Sequence, residues 1–438
     1  MTETAPEVAG TPGPAAQPPG GGSLQAARPQ LIRAMNEQLL LTQIRQLGQC
    51  SRADLARLSG LSKPTVSLAL ANVERSGLVR TAGQRTGVPG RSAVLYEISP
   101  DAGYVLGLDI GHEYLRGALA DLTGEVRAKA EARSPAGGVA RRVAELIRLA
   151  DGICAAAGIA RSGVTQTVLG SPGVYDPELD VIRLTGGLAG WDRPAVLAGL
   201  RAAFGDTLVV ENDTDAAALA EREHGHGREV ASFVFVSIGT GIGMGLVLGG
   251  QLHRGAHGVA GEIAYLPIGE GPAVAAAAGP DEVRRRGTLE AAGSADAIVR
   301  AARLAGVRAR SARQVFAAAS GGDERATAIV AAEARLVAKA ICAIVTVVDP
   351  ELVVLGGGIG RAPGFAAAVG AELAAIAPVL PEIRVSALGT SAVVDGCLAS
   401  GGDLAWRRLT AQLGSWPAEQ PGPGAAQPDG EGAVGALK

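Results

Sequence analysis

The stretch FVFVSIGTGIGMGLVLGGQ, Phe233 to Gln251, decides the fold. A β-branched, apolar run enters SIGTGIGMG (Ser237–Gly245), passes glycines at every second position and leaves as another apolar run. That pattern predicts two strands joined by a tight turn whose backbone no bulky side chain covers. Glycine permits both positive φ and close approach, so bare amides at such a turn can cradle a phosphate. A hairpin that merely turns fits the run equally well, and the rest of the chain has to choose between them.

At 438 residues the chain exceeds one ordinary domain and can bury a large core. Hydrophobic residues make up 47%, only 3% are aromatic and 63 are glycine, so Ala, Val, Leu and Ile carry the core, as suits an α/β protein. The net charge of −3 by itself predicts no polyanionic partner. Its distribution does. Ser23 to Pro100 holds ten basic residues against four acidic ones, so this span carries +6 and the remainder −9. A basic front on an acidic body is the asymmetry of an appended nucleic-acid reader. Cys50, Cys154, Cys342 and Cys397 show no ligand spacing and read as small buried hydrophobes of a reducing compartment. With no membrane-spanning apolar run and no signal-peptide pattern, the expected location is the cytoplasm.

Residues 1–23 and 411–438 are rich in Pro, Gly and Ala without periodicity and are expected to be disordered. Leu31, Met35, Leu39, Ile44 and Leu47 predict an amphipathic helix ending near Gly48. Ser51 with Asp54 caps a short second helix that Gly60 stops, and Ser62 caps a third with Pro64 in its first turn. Val66, Ala69, Leu70 and Val73 form the buried stripe of that third helix. A support helix, two short helices and a Gly-containing turn describe a helix-turn-helix. Lys63, Thr65, Ser67 and Asn72 lie off the stripe, where they can reach bases or phosphates. Two strands follow, and their turn carries Arg85 and Arg91 as a basic wing. Residues 24–99 are thus expected to be a winged helix-turn-helix that binds double-stranded DNA, and 100–410 a second domain. In the latter, three strands followed by helices recur, which predicts two related α/β lobes with a cleft. Leu289–Leu304 and Asp323–Val348 are expected as helices.

Taken together, GLDIG, VENDTDAAALAE, SIGTGIGMG, RGAHGVAGEIAYLPIG and VVLGGGIG, in this order behind a winged helix, resemble the ROK family of repressors and sugar kinases. The resemblance covers about Arg28 to Leu409 and implies an actin-like ATPase fold. It implies Asp213 as the general base of a kinase, and Asn212, Asp213, Glu262 and Glu290 as sugar contacts. Carboxylates and amides suit a polyol because its hydroxyls need acceptors. It further implies nucleotide-phosphate segments at Asp109 and Gly111, at Gly239, Thr240, Gly241 and Gly243, and at Gly356, Gly357 and Gly358.

The departures matter as much. After Gly111 the chain has His112, Glu113 and Tyr114, where kinases of the family have glycine, a hydroxyl and usually a basic residue. An inward Glu113 at about 4 Å from a phosphate would repel it by roughly 4 kcal/mol, so the phosphate segments read as vestigial. Tyr265 stands where the family's zinc-binding histidine would be, and no cysteine lies between Cys154 and Cys342, so no metal is expected. The run Gly187-Leu188-Ala189-Gly190-Trp191 lacks the family's sugar-contacting asparagine. The expectation is a sugar-responsive transcriptional regulator, a repressor acting as a homodimer or homotetramer, whose effector is a sugar or sugar phosphate and which needs no cofactor. The alternatives are an active ATP-dependent hexose kinase using Asp213, and a regulator that senses no small molecule.

Overall fold

The computed structural model describes residues 23–85, 93–268, 279–411 and 413. The chain forms two compact units, one of Ser99–Leu409 and one of the residues up to Ile98 together with those from Thr410.

In the N-terminal unit, helix α1 (Ser23–Leu47) starts earlier than the Leu31 expected from periodicity. Its buried face also differs. Glu37, Leu40, Leu41 and Ile44 are buried, in the i, i+3, i+4, i+7 spacing of one helical face. Leu31, Met35, Leu39 and Leu47, expected on that stripe, are exposed. Strand β1 (Cys50–Ser51), helix α2 (Arg52–Ser59) and helix α3 (Lys63–Arg75) come next. The Ser51 hydroxyl accepts from the Asp54 amide at 3.2 Å while Asp54 accepts from the Ser51 amide at 3.1 Å. This capping box satisfies two orphan donors at the start of α2. Strands β2 (Val79–Arg85) and β3 (Ala93–Ile98) pair antiparallel, and β1 joins the far edge of β3. Leu55, Val66, Leu70 and Val73 close the core against Leu40, Leu41 and Ile44, the compact core of a winged helix-turn-helix.

In the second unit two five-stranded sheets repeat one plan. Strands β4 (Tyr104–Ile110), β5 (Tyr114–Asp121) and β6 (Val126–Arg133) form an antiparallel meander. Beyond helix α4 (Val139–Ala156), strand β7 (Gln166–Ser171) adds parallel to β4. A small hairpin, β8 (Val174–Asp176) and β9 (Val181–Arg183), and helix α5 (Pro194–Phe204) lead to β10 (Leu208–Asn212), parallel to β7. After helix α6 (Asp213–His224) the plan recurs as β11 (Phe233–Ile238), β12 (Ile242–Leu248) and β13 (Gln251–Leu252). Here β14 (Leu352–Gly356) adds parallel to β11, and β15 (Glu382–Val385) parallel to β14. The strand orders β10-β7-β4-β5-β6 and β15-β14-β11-β12-β13 are the same. Each sheet has its own apolar core, one built around Leu106, Leu108, Leu146 and Leu200, the other around Val236, Ile341 and Leu355. This is the two-lobed actin-like ATPase fold.

Two details bear on the cleft. The helix expected over Leu289–Leu304 is two helices, Thr288–Gly293 and Ala295–Leu304, broken where Ser294 is extended. The break frees the Ala295 amide to donate to the Gly239 carbonyl at 2.9 Å, which fastens the second helix to the glycine hairpin. The long apolar helix Glu324–Val348 is capped by Asp323 and stops at Asp349, as the Asp-Pro pair predicts. Among the described residues no helix is long and apolar enough to cross a membrane.

Candidate functional site

The two sheets bring their strand ends to one cavity of about 300 Å³. Asp109 and Gly111 enter from the end of β4, and Asn212 and Asp213 from the β10–α6 junction. Gly239, Thr240, Gly241 and Gly243 belong to the β11–β12 hairpin, and Glu262, Glu290, Gly357 and Gly358 complete the lining. Gly356, expected with them, is not a lining residue. Its backbone packs on the Phe235 ring, where a Cβ would sit 2.2 Å from Cζ.

The glycine hairpin owes its composition to close packing. None of Gly239, Gly241, Gly243 and Gly245 has positive φ, contrary to the expectation for a tight phosphate turn. Gly239 and Gly241 lie in the turn, where a Cβ on Gly241 would meet Glu290 Oε2 at 2.7 Å, while Gly243 and Gly245, spaced by two in β12, face one side of the strand. A Cβ on Gly243 would lie 2.6 Å from Thr214 Oγ1, and one on Gly245 would lie 2.5 Å from Ala218 Cβ. The bare face thus admits α6, whose first turn carries Asp213. Gly357 is the position that needs left-handed backbone, at φ +73°, and a Cβ there would meet Ile238 O at 2.3 Å. Gly111 is required by the carbonyl of Tyr114, 2.6 Å from its would-be Cβ.

Asn212 caps α6, its Oδ1 accepting from the amides of Thr214 at 2.8 Å and Asp215 at 3.1 Å, while its Nδ2 donates to Gly173 O at 3.1 Å. Asp213 follows in the first turn, where the helix dipole favours an anion. Burial nevertheless pushes its carboxyl up, against the hydrogen bonds from Thr214. Asp109 is raised to about 7, by burial first and then by Asp213, even though Arg116 lies 3.4 Å away. Glu262 is raised to about 7 by burial, then by Asp213 and Glu290. Three acids thus share a small desolvated space that raises the pKa of each.

Glu290 is committed. It accepts from the Ile242 amide at 2.9 Å and from Arg286 Nε at 2.6 Å. Arg286 is buried, and its Nη2 donates to Thr240 O at 2.9 Å, so it ties Glu290 to the hairpin. Residue-type reasoning missed Arg286. No local pattern announces the pair, because Arg286 ends the helix Pro280–Arg286 and Glu290 lies in the next one, Thr288–Gly293, across the break at Gly287. His112 lines the cavity and lies over Gly187, whose would-be Cβ falls 2.6 Å from the ring. Burial, with Arg142 and Arg286 nearby, lowers its pKa. Glu113 is exposed and does not line the cavity, so it makes no direct contact there, although its charge reaches His112. Glu113 sits in the bend between β4 and β5. Tyr265 lines the cavity and donates to Arg285 O at 2.9 Å. Among the described residues no group of three or more His, Cys, Asp or Glu is placed to hold a metal ion.

In the N-terminal unit Lys63 and Ser67 are exposed on α3. Thr65 shares its hydroxyl with Ser62 at 2.8 Å. Asn72 donates to Glu37 at 2.8 Å and so braces α3 against α1. Arg85 pairs with Asp54 at 3.3 Å, and Arg91 lies outside the described residues.

The model of the ROK family matches residues 105–398. A putative xylose repressor of Caldicellulosiruptor sp. (strain Rt8B.4) is 26% identical over 239 residues, covering 54% of this chain and 60% of that protein. The chain thus spans less than two thirds of the length of the curated relatives it matches. Among solved structures, the ROK hexokinase of Thermus thermophilus superposes with a TM-score of 0.58 at 30% identity, over 69% of this chain and 99% of that one. A ROK family transcriptional regulator, homologous to the E. coli MLC protein, superposes with a TM-score of 0.67 at 24% identity, over 87% and 99%. With the family's model matched along most of the second unit, the chain belongs to the ROK family.

Proposed function

We propose that this chain is a sugar-responsive transcriptional regulator, a repressor of carbohydrate genes, in which a winged helix reads DNA and the ROK domain binds the effector. One observation carries the reading: the chain joins a helix-turn-helix with exposed Lys63 and Ser67 to a cavity of about 300 Å³ lined by Asn212, Asp213 and Glu262. That volume suits a single monosaccharide at the small end of ligand pockets. The xylose-repressor relatives support the same assignment. The effector acts by linkage, favouring one closure of the lobes and thereby one disposition of paired winged helices. A homodimer would read half-sites about one helical turn apart. Residues 24–99 would be the DNA-binding domain and 100–410 the sensor, in the cytoplasm.

The test is a gel shift of the full chain on its own upstream region, with and without a panel of sugars and sugar phosphates. Binding that a sugar relieves, and that Lys63→Ala weakens, is expected. Unchanged affinity in Lys63→Ala would remove α3 as the reading head.

A kinase is the second reading, favoured by Asp213 lining the same cavity as the glycine hairpin and by the hexokinase neighbour. With Glu113 exposed, the argument against ATP at that segment rests on His112, which lines the cavity, and on Tyr114. A coupled ADP-release assay over hexoses separates the readings, since turnover abolished in Asp213→Asn would make the chain an enzyme.

A further inference from the structure

Helix α3 buries the face formed by Val66, Ala69, Leu70 and Val73. With about 3.6 residues per turn, the ridge diametrically opposite runs through Pro64, Leu68, Ala71 and Arg75. Leu68 is 57% exposed, and Lys63, Pro64, Ser67 and Arg75 on the same outward side are exposed as well. A single exposed leucine is ordinary on a protein surface. This one stands in the middle of the outward ridge of the second helix of a helix-turn-helix, the element that enters a major groove. Two polar side chains of the same helix are already engaged. Asn72 Nδ2 donates to Glu37 at 2.8 Å while its Oδ1 accepts from Arg75 at 3.4 Å, and Thr65 shares its hydroxyl with Ser62 at 2.8 Å. The ridge therefore presents a branched apolar side chain beside the Ser67 hydroxyl, with a cation at each end of the helix.

We propose that Leu68 determines operator specificity by packing on the C5-methyl group of one thymine in each half-site, a role that rests on α3 being the DNA-reading helix. In the major groove thymine alone among the four bases presents a methyl group, and an apolar side chain is the partner that recognises it. A leucine makes no hydrogen bond, so a cytosine amino group or a guanine carbonyl set against it would lose water and gain nothing in return. Both effects favour thymine. The surroundings match a nucleic acid better than an apolar protein surface. Lys63 and Arg75 flank the ridge against the single acid of the helix, Glu74, and the span Ser23 to Pro100 carries +6. Cations so placed suit the phosphates on either side of a groove, where they position the helix and leave the reading to the side chains between them.

The test is fluorescence anisotropy of the full chain on the duplex it selects from a random-sequence pool, with each thymine replaced in turn by deoxyuridine, which removes only the methyl group. At one thymine per half-site the replacement is expected to weaken binding about fourfold, the worth of one buried apolar carbon. Leu68→Ala is expected to bind the thymine duplex more weakly and to be indifferent to the replacement at that position. Lys63→Ala is expected to bind every duplex more weakly and to keep the fourfold ratio, because a phosphate contact carries no sequence information. A scan in which no thymine matters, or in which Leu68→Ala keeps the fourfold ratio, overturns the role of Leu68 and leaves DNA reading by α3 in place. Failure to select any duplex overturns both. If Leu68→Ala instead dissociates the chain in sedimentation velocity with its sensitivity to deoxyuridine intact, a second protein surface covers Leu68 and the proposal falls.

Discussion

Glu333 sits in the long helix Glu324–Val348, buried to 4% exposure, with its Oε1 unpartnered and close to Gly293. Burial alone raises its carboxyl from an ordinary 4.5 to about 8. An acid whose folded value is raised keeps its proton in the native state while the unfolded chain has already lost it. Stability therefore falls as pH rises through the window between 4.5 and about 8. At about 1.4 kcal/mol per pH unit, that window corresponds to roughly 3 kcal/mol lost by about pH 7 and up to about 5 kcal/mol above it. Glu333→Gln keeps the shape and removes the proton linkage. Its amide is also buried without a partner, at a cost of about 1–3 kcal/mol, but that cost does not depend on pH. The decisive quantity is therefore the slope. Urea denaturation of the full chain at about pH 5 and about pH 7.5 is expected to show the glutamine variant gaining on wild type by about 2–3 kcal/mol between the two. Parallel stability curves for the two proteins would refute the reasoning, because they would mean that Glu333 finds a partner or water in solution.

Three further outcomes follow from the site and its supports. Asp213→Asn is expected to lower the pKa of both Asp109 and Glu262, since Asp213 is the largest charge acting on each after burial; carbon-detected NMR titration of the carboxyls reads this directly. Gly245→Ala is expected to destabilise the second unit by about 1–3 kcal/mol in thermal unfolding, because its Cβ would fall 2.5 Å from Ala218 Cβ and 2.6 Å from Thr214 O. Ser51→Ala is expected to cost about 1 kcal/mol by loss of the α2 cap, measured as a shift in the denaturation midpoint of the N-terminal unit.

Local chemistry made much of this protein legible. The Ser51 and Ser62 caps, the Gly60 stop, the Val66–Val73 stripe and the Asp-Pro stop at Asp349 depend on neighbours a few residues away, and they stand where the sequence puts them. So do the strands on either side of the glycine run and the repeated strand plan. The sequence placed Asn212, Asp213 and Glu262 as candidates by type and motif. Only the packed chain decided that they share one cavity, that Glu290 is already spent on Ile242 and Arg286, and that Glu113 faces out. Orientation of a side chain at a strand end depends on which face the sheet buries, and that is set by elements far away in sequence. Ser237 to Gly245 carries both lessons. Its alternating glycines announced a hairpin, but the reason for Gly243 and Gly245 is the helix from Asp213 pressed against their bare face. A contact between residues some thirty positions apart leaves no local pattern to read.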